Sequence, residues 1–434
     1  MTPRDAATAV IRALKSHGFE GYLVGGCVRD LVLYRDPKDF DVTTNATPEQ
    51  VQRIFEKTIP VGASFGVIIV VVDDVHIEVA TYRTDGQYSD NRRPDDVAYS
   101  TNVKDDLVRR DFTINGLIMI PKDQYAKKLT YDEVLAFGAP VEHWEHGVVI
   151  DYVGGMNDIR GSKITCIGDP DARFGEDALR MLRAVRFAAQ LGFTIDTATG
   201  DSITKNAASI VNVSRERIAA ELFKLVSSSY PVKGLVPFAT TGLLRYALPE
   251  FDEGARFAYT LERFAKFQTS DPLFGLTMLL ADADFVTATT TLDGLKLSNE
   301  QGRLVRNALQ VRAELPNVGR LSLSQKKRLA RGVGLQYGLD LFAQDEAIGR
   351  ISIGTTAVRA TTDTLLSFTP EDVRPKPLVT GDDLISMGLT PGPEFRHILD
   401  MIEEGQLSET ITFRSVAVEV VKKIAEARGL TINA

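Results

Sequence analysis

The chain has 434 residues, 44% hydrophobic and 25% charged, the composition of a soluble globular protein; at roughly 150 residues per domain it is expected to hold about three domains. Its formal net charge of −8 excludes indiscriminate coating of nucleic acid but leaves local basic surfaces open, because screening confines each charge to about 10 Å. No run approaches the ~18 apolar residues of a membrane span, and two cysteines, Cys27 and Cys166, cannot build a disulfide framework, so a cytoplasmic protein with no membrane partner is expected.

The opening MTPRDAATAVIRALKSHGF lacks a signal-peptide core and sets Val10, Ile11 and Leu14 at helical spacing. GYLVGG reads as a short buried strand entering a glycine turn, VRDLVLY as one or two helical turns, and DFDVTT as a second strand. In TPEQVQRIF, Thr47 is the expected N-cap and Pro48 the first helical residue. FGVIIVVVDD and HIEVATYR form two β-rich runs joined by a tight acidic turn, a hairpin signal. Residues 1 to about 120 are therefore expected to form an α+β unit on a small mixed or antiparallel sheet.

PKDQYAKKLTYDEVLAFGAPVEHWEHG reads as a long connection. Its His143 and His146 lack a firm third ligand for a metal, and Trp144 is expected to pack the connection onto the helical part. From residue 176 the pattern turns helical. EDALRMLRAVRFAAQLGF carries Leu179, Leu182, Val185 and Phe187 at core spacing, and SRERIAAELFKLVSSS follows with Ser214 as its expected cap. The three prolines of TPEDVRPKPLVTGDDLI mark a connection before a last helical region.

Chemistry concentrates in LVGGCVRDLVLYRDPKDFDVTT. On a strand, Asp39 and Asp41 would face one side, roughly 6.5–7 Å apart along the chain. Two carboxylates that close repel unless a cation lies between them, and Mg2+ is the hard cation that carboxylates and phosphate oxygens share. A solvated strand edge explains a bare pair of aspartates as well. The context favours the metal: Gly25 and Gly26 end a strand where bare amides can approach phosphate, and Arg29 lies one turn on. Neither a P-loop nor a dinucleotide fingerprint is present.

Arg180, Arg183 and Arg186 recur every three residues and fan across one helix face, as a solvated basic stripe also would. Asp177 and Arg180 stand three apart, the spacing of an ordinary helix ion pair. The alternative is recognition. Cytosine and adenine both present an exocyclic amine beside a ring-nitrogen acceptor, whereas uracil and guanine present the inverse. An aspartate and an arginine would match the first two and leave unmatched groups against the others, a penalty of about 1–3 kcal/mol per group.

GGCVRD with DFDVTT, IEVATYRTDGQYSDNRRPDDV, RRDFTINGL, GDPDARFGEDALRMLRAVRFAA and VSRERIAAEL resemble, in order, the motifs of the class II tRNA nucleotidyltransferase and bacterial poly(A) polymerase family. The resemblance spans residues from about 20 to 225, with a weaker echo in LVTGDDLISMGLTPGPEF. It implies an α+β fold: a nucleotidyltransferase-type mixed or antiparallel sheet in a catalytic head over 1–150, and then only helices. Those would be a neck with the nucleotide-selecting motif over 151–270 and a tRNA-binding body and tail over 271–434. The family assigns Asp39 and Asp41 to Mg2+ and to catalysis. Gly25, Gly26, Arg29, Arg110, Asn115, Arg183 and Arg186 go to nucleotide or triphosphate contact, and Asp177 and Arg180 to base choice. Glu78 and Glu176 are supporting acids, although a cross-strand ion pair would equally account for Glu78, and a salt bridge with Asp111 would account for Arg110. The loop carrying Arg92 and Arg93 is associated with the switch from adding C to adding A. Gly116 departs from the alanine often found after the asparagine.

The implied activity is template-independent transfer of CMP and AMP from CTP and ATP to the 3′ end of tRNA, completing CCA. A poly(A) polymerase, an A-adding enzyme and a catalytically inactive RNA-binding module are the alternatives, and their substrates tell them apart.

Overall fold

The computed structural model describes residues 1–60, 65–86, 97–124, 129–249, 251, 257–352 and 355–430. The chain divides into two compact units, Met1–Glu253 with Gln268–Ser270, and Gly254–Phe267 with Asp271–Ala434.

The first unit is built on strands β1 (Tyr22–Val24), β2 (Asp41–Thr44), β3 (Thr58–Ile59), β4 (Val67–Val72), β5 (Val75–Thr81), β6 (Arg83–Asp85), β7 (Val97–Tyr99), β8 (Leu117–Pro121), β9 (Val141–Trp144) and β10 (Gly147–Asp151). Eight of them form one sheet in the order β3-β4-β5-β2-β1-β8-β10-β9, while β6 and β7 pair separately. Every neighbour in the large sheet is antiparallel except β2 and β5, which run parallel. The sheet is thus mixed, as the resemblance implies. β1, β8 and β10 are buried along their whole length, which is why β1 and β8 are unbroken apolar runs, and β10 is one up to Asp151, rather than alternating. The β4–β5 turn uses Asp73 and Asp74 with φ of 46° and 61°, the left-handed pair that matches strand twist.

Among the described residues twelve α-helices accompany the sheet: α1 (Pro3–Ser16), α2 (Gly26–Val32), α3 (Pro48–Ile54), α4 (Val103–Val108), α5 (Tyr131–Phe137), α6 (Gly155–Arg160), α7 (Pro170–Glu176), α8 (Leu179–Leu191), α9 (Thr197–Asn206), α10 (Arg215–Val226), α11 (Pro231–Thr240) and α12 (Leu243–Ala247). On α1, Val10, Ile11 and Leu14 are fully buried, as their spacing predicts. Thr47 caps α3 in a reciprocal box with Gln50, and Pro48 opens the helix. Ser214 stands at the N-cap of α10 without a capping hydrogen bond from its side chain.

Three expectations need correction. β2 begins at Asp41, so Asp39 lies before the strand and the two acids do not share a strand face. The sheet runs on to Asp151 rather than closing near residue 120, because the supposed connection supplies α5 and the β9–β10 hairpin. Trp144 accordingly sits on the edge strand β9 beside Tyr34, with ring centroids 5.8 Å apart, and does not pack on the helical part.

Gly116 has a packing reason. A Cβ there would lie 2.6 Å from Val153 Cγ2 and 3.1 Å from Ile167 Cδ1. Valine is stiff at χ1 and cannot swing aside freely. Gly116→Ala is expected to lower stability by about 1–3 kcal/mol, read as the urea midpoint, and an added Val153→Ala to recover much of it. An unchanged midpoint in the single variant would show that the site has spare room.

The second unit is helical throughout its described residues, from Phe257–Lys266 to Arg414–Ala427. One apolar cluster gathers Val311, Leu315, Leu339 and Phe342, and another gathers Val379, Leu384, Ile398 and Val421. Fully buried Arg263 reaches Asp345 at 2.7 Å, and Arg312 reaches the same carboxylate at 2.6 Å.

Candidate active site

The buried strand β1 delivers the chain to Gly25, whose φ of 79° and ψ of −134° belong to glycine's range. A side chain there would also meet Arg110 Nη1 at 3.2 Å. Gly26 opens α2 against Arg29, whose Nη2 stands 3.6 Å from where a Cβ would be. The two glycines therefore bring bare backbone between two guanidinium groups.

A buried polar chain runs inward from there. Arg29 donates to Asn115 Oδ1 at 2.7 Å, Asn115 donates to Asp111 Oδ1 at 3.2 Å, and Arg183 donates through Nε to Asp111 Oδ2 at 2.7 Å. Burial alone would raise the Asp111 carboxyl, but Arg183 and Asn115 outweigh it and hold it near 2. Arg186 meets Glu221 at 2.9 Å, and burial pulls its guanidinium down to about 10, so it stays cationic at neutral pH. Phe187 ties the group together: the guanidinium carbons of Arg186, Arg29 and Arg183 lie 4.0, 5.3 and 5.5 Å from its ring centre. The ring face carries negative charge, so it holds like charges in one place that would otherwise separate.

Arg110 pairs with Asp106 at 3.0 Å and not with Asp111, which is turned to Arg183. Asp106 is fully buried and also holds Arg109.

Asp41 lies in register with Val24 on β1 and Glu78 on β5. Burial, then the Glu78 charge, pushes its carboxyl up to about 6, with Arg110 opposing and Asp39 adding to the rise. That rise reflects first the loss of water around the carboxylate and then the neighbouring acids, which Arg110 only partly offsets. The donors are all oxygen, which fits a hard divalent cation. Glu78 faces Asp41 and Ile69 across its two strand neighbours, so no cross-strand ion pair with them accounts for it.

Asp177 and Arg180 do not form the helix pair their spacing allows. Asp177 is extended, at φ −148° and ψ 103°, and separates α7 from α8. Its Oδ1 accepts from Leu179 N at 3.0 Å, and its Oδ2 accepts from Arg217 on α10 at 2.7 Å. Arg180 instead pairs with Glu176 and donates to Arg173 O at 3.1 Å.

Gly25, Gly26, Arg29, Asp39, Asp41, Arg110, Asn115, Asp177, Arg180, Arg183 and Arg186 all line one cavity of about 1080 Å3. Ten lysine and arginine side chains face six aspartates around it, so this acidic protein concentrates positive charge where an anion would sit. Glu78 and Glu176 stand outside the lining, each behind a residue that is in it. Arg92 and Arg93 lie outside the described residues. Among the described residues no group of three metal-ligating side chains is present, and His146 turns its Nδ1 to Arg4 at 3.0 Å. Sequence reasoning missed Arg109, Asp111, Phe187 and Arg217. The motifs RRDFTIN and SRERI carried three of them; nothing in the apolar spacing of α8 marked Phe187 as more than core.

The family model described as Poly A polymerase head domain matches residues 21–165. The one described as Probable RNA and SrmB- binding site of polymerase A matches 192–254. A CCA-adding enzyme of Geobacillus sp. (strain WCH70) is 33% identical over 411 residues, covering 92% of each chain. Another, of Geobacillus thermodenitrificans, is 41% identical over 244 residues, 56% of this chain and 54% of the relative. Among solved structures, the Bacillus stearothermophilus CCA-adding enzyme in complex with CTP covers 99% of both chains with a TM-score of 0.71 at 27% identity. The Thermotoga maritima CCA-adding enzyme complexed with tRNA shares the fold, with a TM-score of 0.58 over 97% of this chain and 95% of that one at 20% identity.

Proposed function

The chain belongs to the family of CCA-adding tRNA nucleotidyltransferases, and from that premise we propose how its own residues carry out the reaction. It is a nucleotidyltransferase that adds CMP and AMP from CTP and ATP to the 3′ end of tRNA and releases pyrophosphate. The observation that supports the residue roles best is the convergence, in one cationic cavity, of Asp39 and Asp41 with the Asp177–Arg180 segment of a different element.

Arg29, Arg110, Arg183 and Arg186, with the amides at Gly25 and Gly26, hold the triphosphate, and Asn115 keeps Arg29 in place. Asp177 accepts a hydrogen bond from the exocyclic amine of cytosine or adenine, and Arg180 donates to the adjacent ring nitrogen. Both are held by charged neighbours, Asp177 by Arg217 within the cavity and Arg180 by Glu176 outside it. Asp39 and Asp41 would hold Mg2+, with Glu78 behind Asp41, and the ion would supply positive charge for the attacking oxygen and the departing pyrophosphate. The hydroxyl then attacks the α-phosphorus in line, and no covalent enzyme intermediate is needed.

Residues 1–150 serve as the catalytic head, 151–270 as the neck and 271–434 as the tRNA-binding body and tail. The loop with Arg92 and Arg93 switches the site from C to A addition. Among the described residues no helix is long and apolar enough to cross a membrane. Cys27 and Cys166 are buried and unpaired, as a reducing cytoplasm would keep them.

The test offers the protein tRNA lacking the terminal CCA, tRNA ending in CC, and an unstructured RNA, each with labelled CTP or ATP and Mg2+. Addition of CCA to the first and of a single A to the second is expected. Long A tracts on all three would make it a poly(A) polymerase, extension of the second alone an A-adding enzyme, and no extension a binding protein.

A further inference from the structure

The edge strand β9 and the exposed ring it touches lie outside the set of residues that hold nucleotide or metal. Tyr34 lies two residues past the end of α2, is 73% exposed, and has a φ of 53°. That left-handed residue closes α2, with Tyr34 N donating to Leu31 O at 3.1 Å and Arg35 N to Asp30 O at 2.8 Å, and the ring is left in solvent where the chain turns out of the helix. Trp144 of β9 backs the ring at 5.8 Å with the planes tilted by 55°. The acid nearest in sequence on the same face of β9, Glu142, is engaged by Arg160.

Position indicates what the ring meets. The loop from Tyr34 to Phe40 is the one that ends in the acids, and its Arg35, Asp36, Lys38 and Asp39 all line the cavity. The arginines of α8 take the triphosphate side of that cavity. On that reading the RNA terminus approaches beside Asp39, and Tyr34 is the chain neighbour of Arg35, which lines the cavity. Arg35 and Lys38 are exposed there and supply charge for a phosphate backbone. Sequence-tolerant grip on single-stranded RNA is built from such a pairing of stacked aromatic rings and cations.

We propose that Tyr34, buttressed by Trp144, is a stacking platform for a base at the unpaired 3′ end of the RNA substrate, with Arg35 and Lys38 on the adjoining phosphates. The inference rests on the tRNA-extending reading, and its test separates the two. Initial rates are measured with tRNA lacking the terminal CCA for wild type, Tyr34→Ala and Tyr34→Phe. Trp144 is the single tryptophan, so its emission, followed while the same RNA is added without nucleotide, reports binding directly. Tyr34→Ala is expected to raise the RNA KM and the midpoint of the emission change about tenfold. The KM for CTP should stay within twofold, and Tyr34→Phe should behave as wild type. An RNA KM within twofold in Tyr34→Ala overturns the platform while leaving the activity standing. An equal rise in the CTP KM, or an equal loss in Tyr34→Phe, also overturns it. Failure of the wild type to extend any tRNA would instead remove the functional reading.

Discussion

Asp41→Asn is expected to reduce nucleotide transfer by about a thousandfold or more while leaving the protein folded and, without metal, more heat-resistant than wild type. The amide keeps the shape of the side chain but removes one of two charges assigned to the cation, and several kcal/mol of transition-state stabilisation go with it. The stability gain follows from titration. In the fold the Asp41 carboxyl titrates at about 6, above its unfolded value of about 3.9. The folded protein thus holds this proton more tightly than the unfolded chain. The resulting stability is fully present below pH ~4, falls as pH rises towards 6, and is absent above it. At neutral pH the metal-free wild type therefore keeps an unfavourable charge that the variant lacks. Added Mg2+ should raise the melting temperature of wild type and not of the variant. Below pH 6 the proton competes with the cation, so wild-type activity at limiting Mg2+ should fall with acid and recover at higher Mg2+. A variant retaining a tenth of the activity would remove Asp41 from the metal site.

The chemistry of this protein was more legible than its geometry. The GG, Arg29 and DxD cluster was readable because each residue type answers a requirement of triphosphate or metal and the motifs stand in order along the chain. Apolar spacing located α1, and turn and cap residues located α3 and the β4–β5 hairpin. What spacing could not give was the partner of each charge. Arg110 could take Asp106 or Asp111, and Asp177 could take Arg180 or Arg217; the choice depends on helices that meet only in the folded chain. The extent of the sheet was hidden for a related reason. β9 is a short edge strand carrying Glu142, His143 and Trp144, and only its pairing with the wholly buried β10 makes it a strand. Phe187 looked like core because it is core, and its ring is nonetheless the surface on which three arginines converge.

Asp177→Ala is expected to lower the preference for CTP over UTP by about a hundredfold. Two effects combine. The amine of cytosine loses its acceptor, and the uracil carbonyl no longer faces a carboxylate, each worth about 1–3 kcal/mol, with 1.4 kcal/mol per tenfold. Arg217 enters because it holds the carboxylate at 2.7 Å from another helix. Without Asp177 its guanidinium adds uncompensated positive charge to a cavity that takes a triphosphate, so it should offset part of the rise in CTP KM that the lost amine contact causes, and salt should remove that offset. Arg217→Gln, which keeps a hydrogen-bond donor but not the charge, should shift the CTP-to-UTP ratio in the same direction by a smaller factor. Glu176→Gln should act likewise through Arg180, since the amide can accept from the guanidinium but holds it less firmly. Incorporation of all four nucleotides on one tRNA gives the ratios directly. If Asp177→Ala slowed all four equally, the carboxylate would be serving only the α7–α8 junction, through its bond to Leu179 N, and the base would have to be read elsewhere.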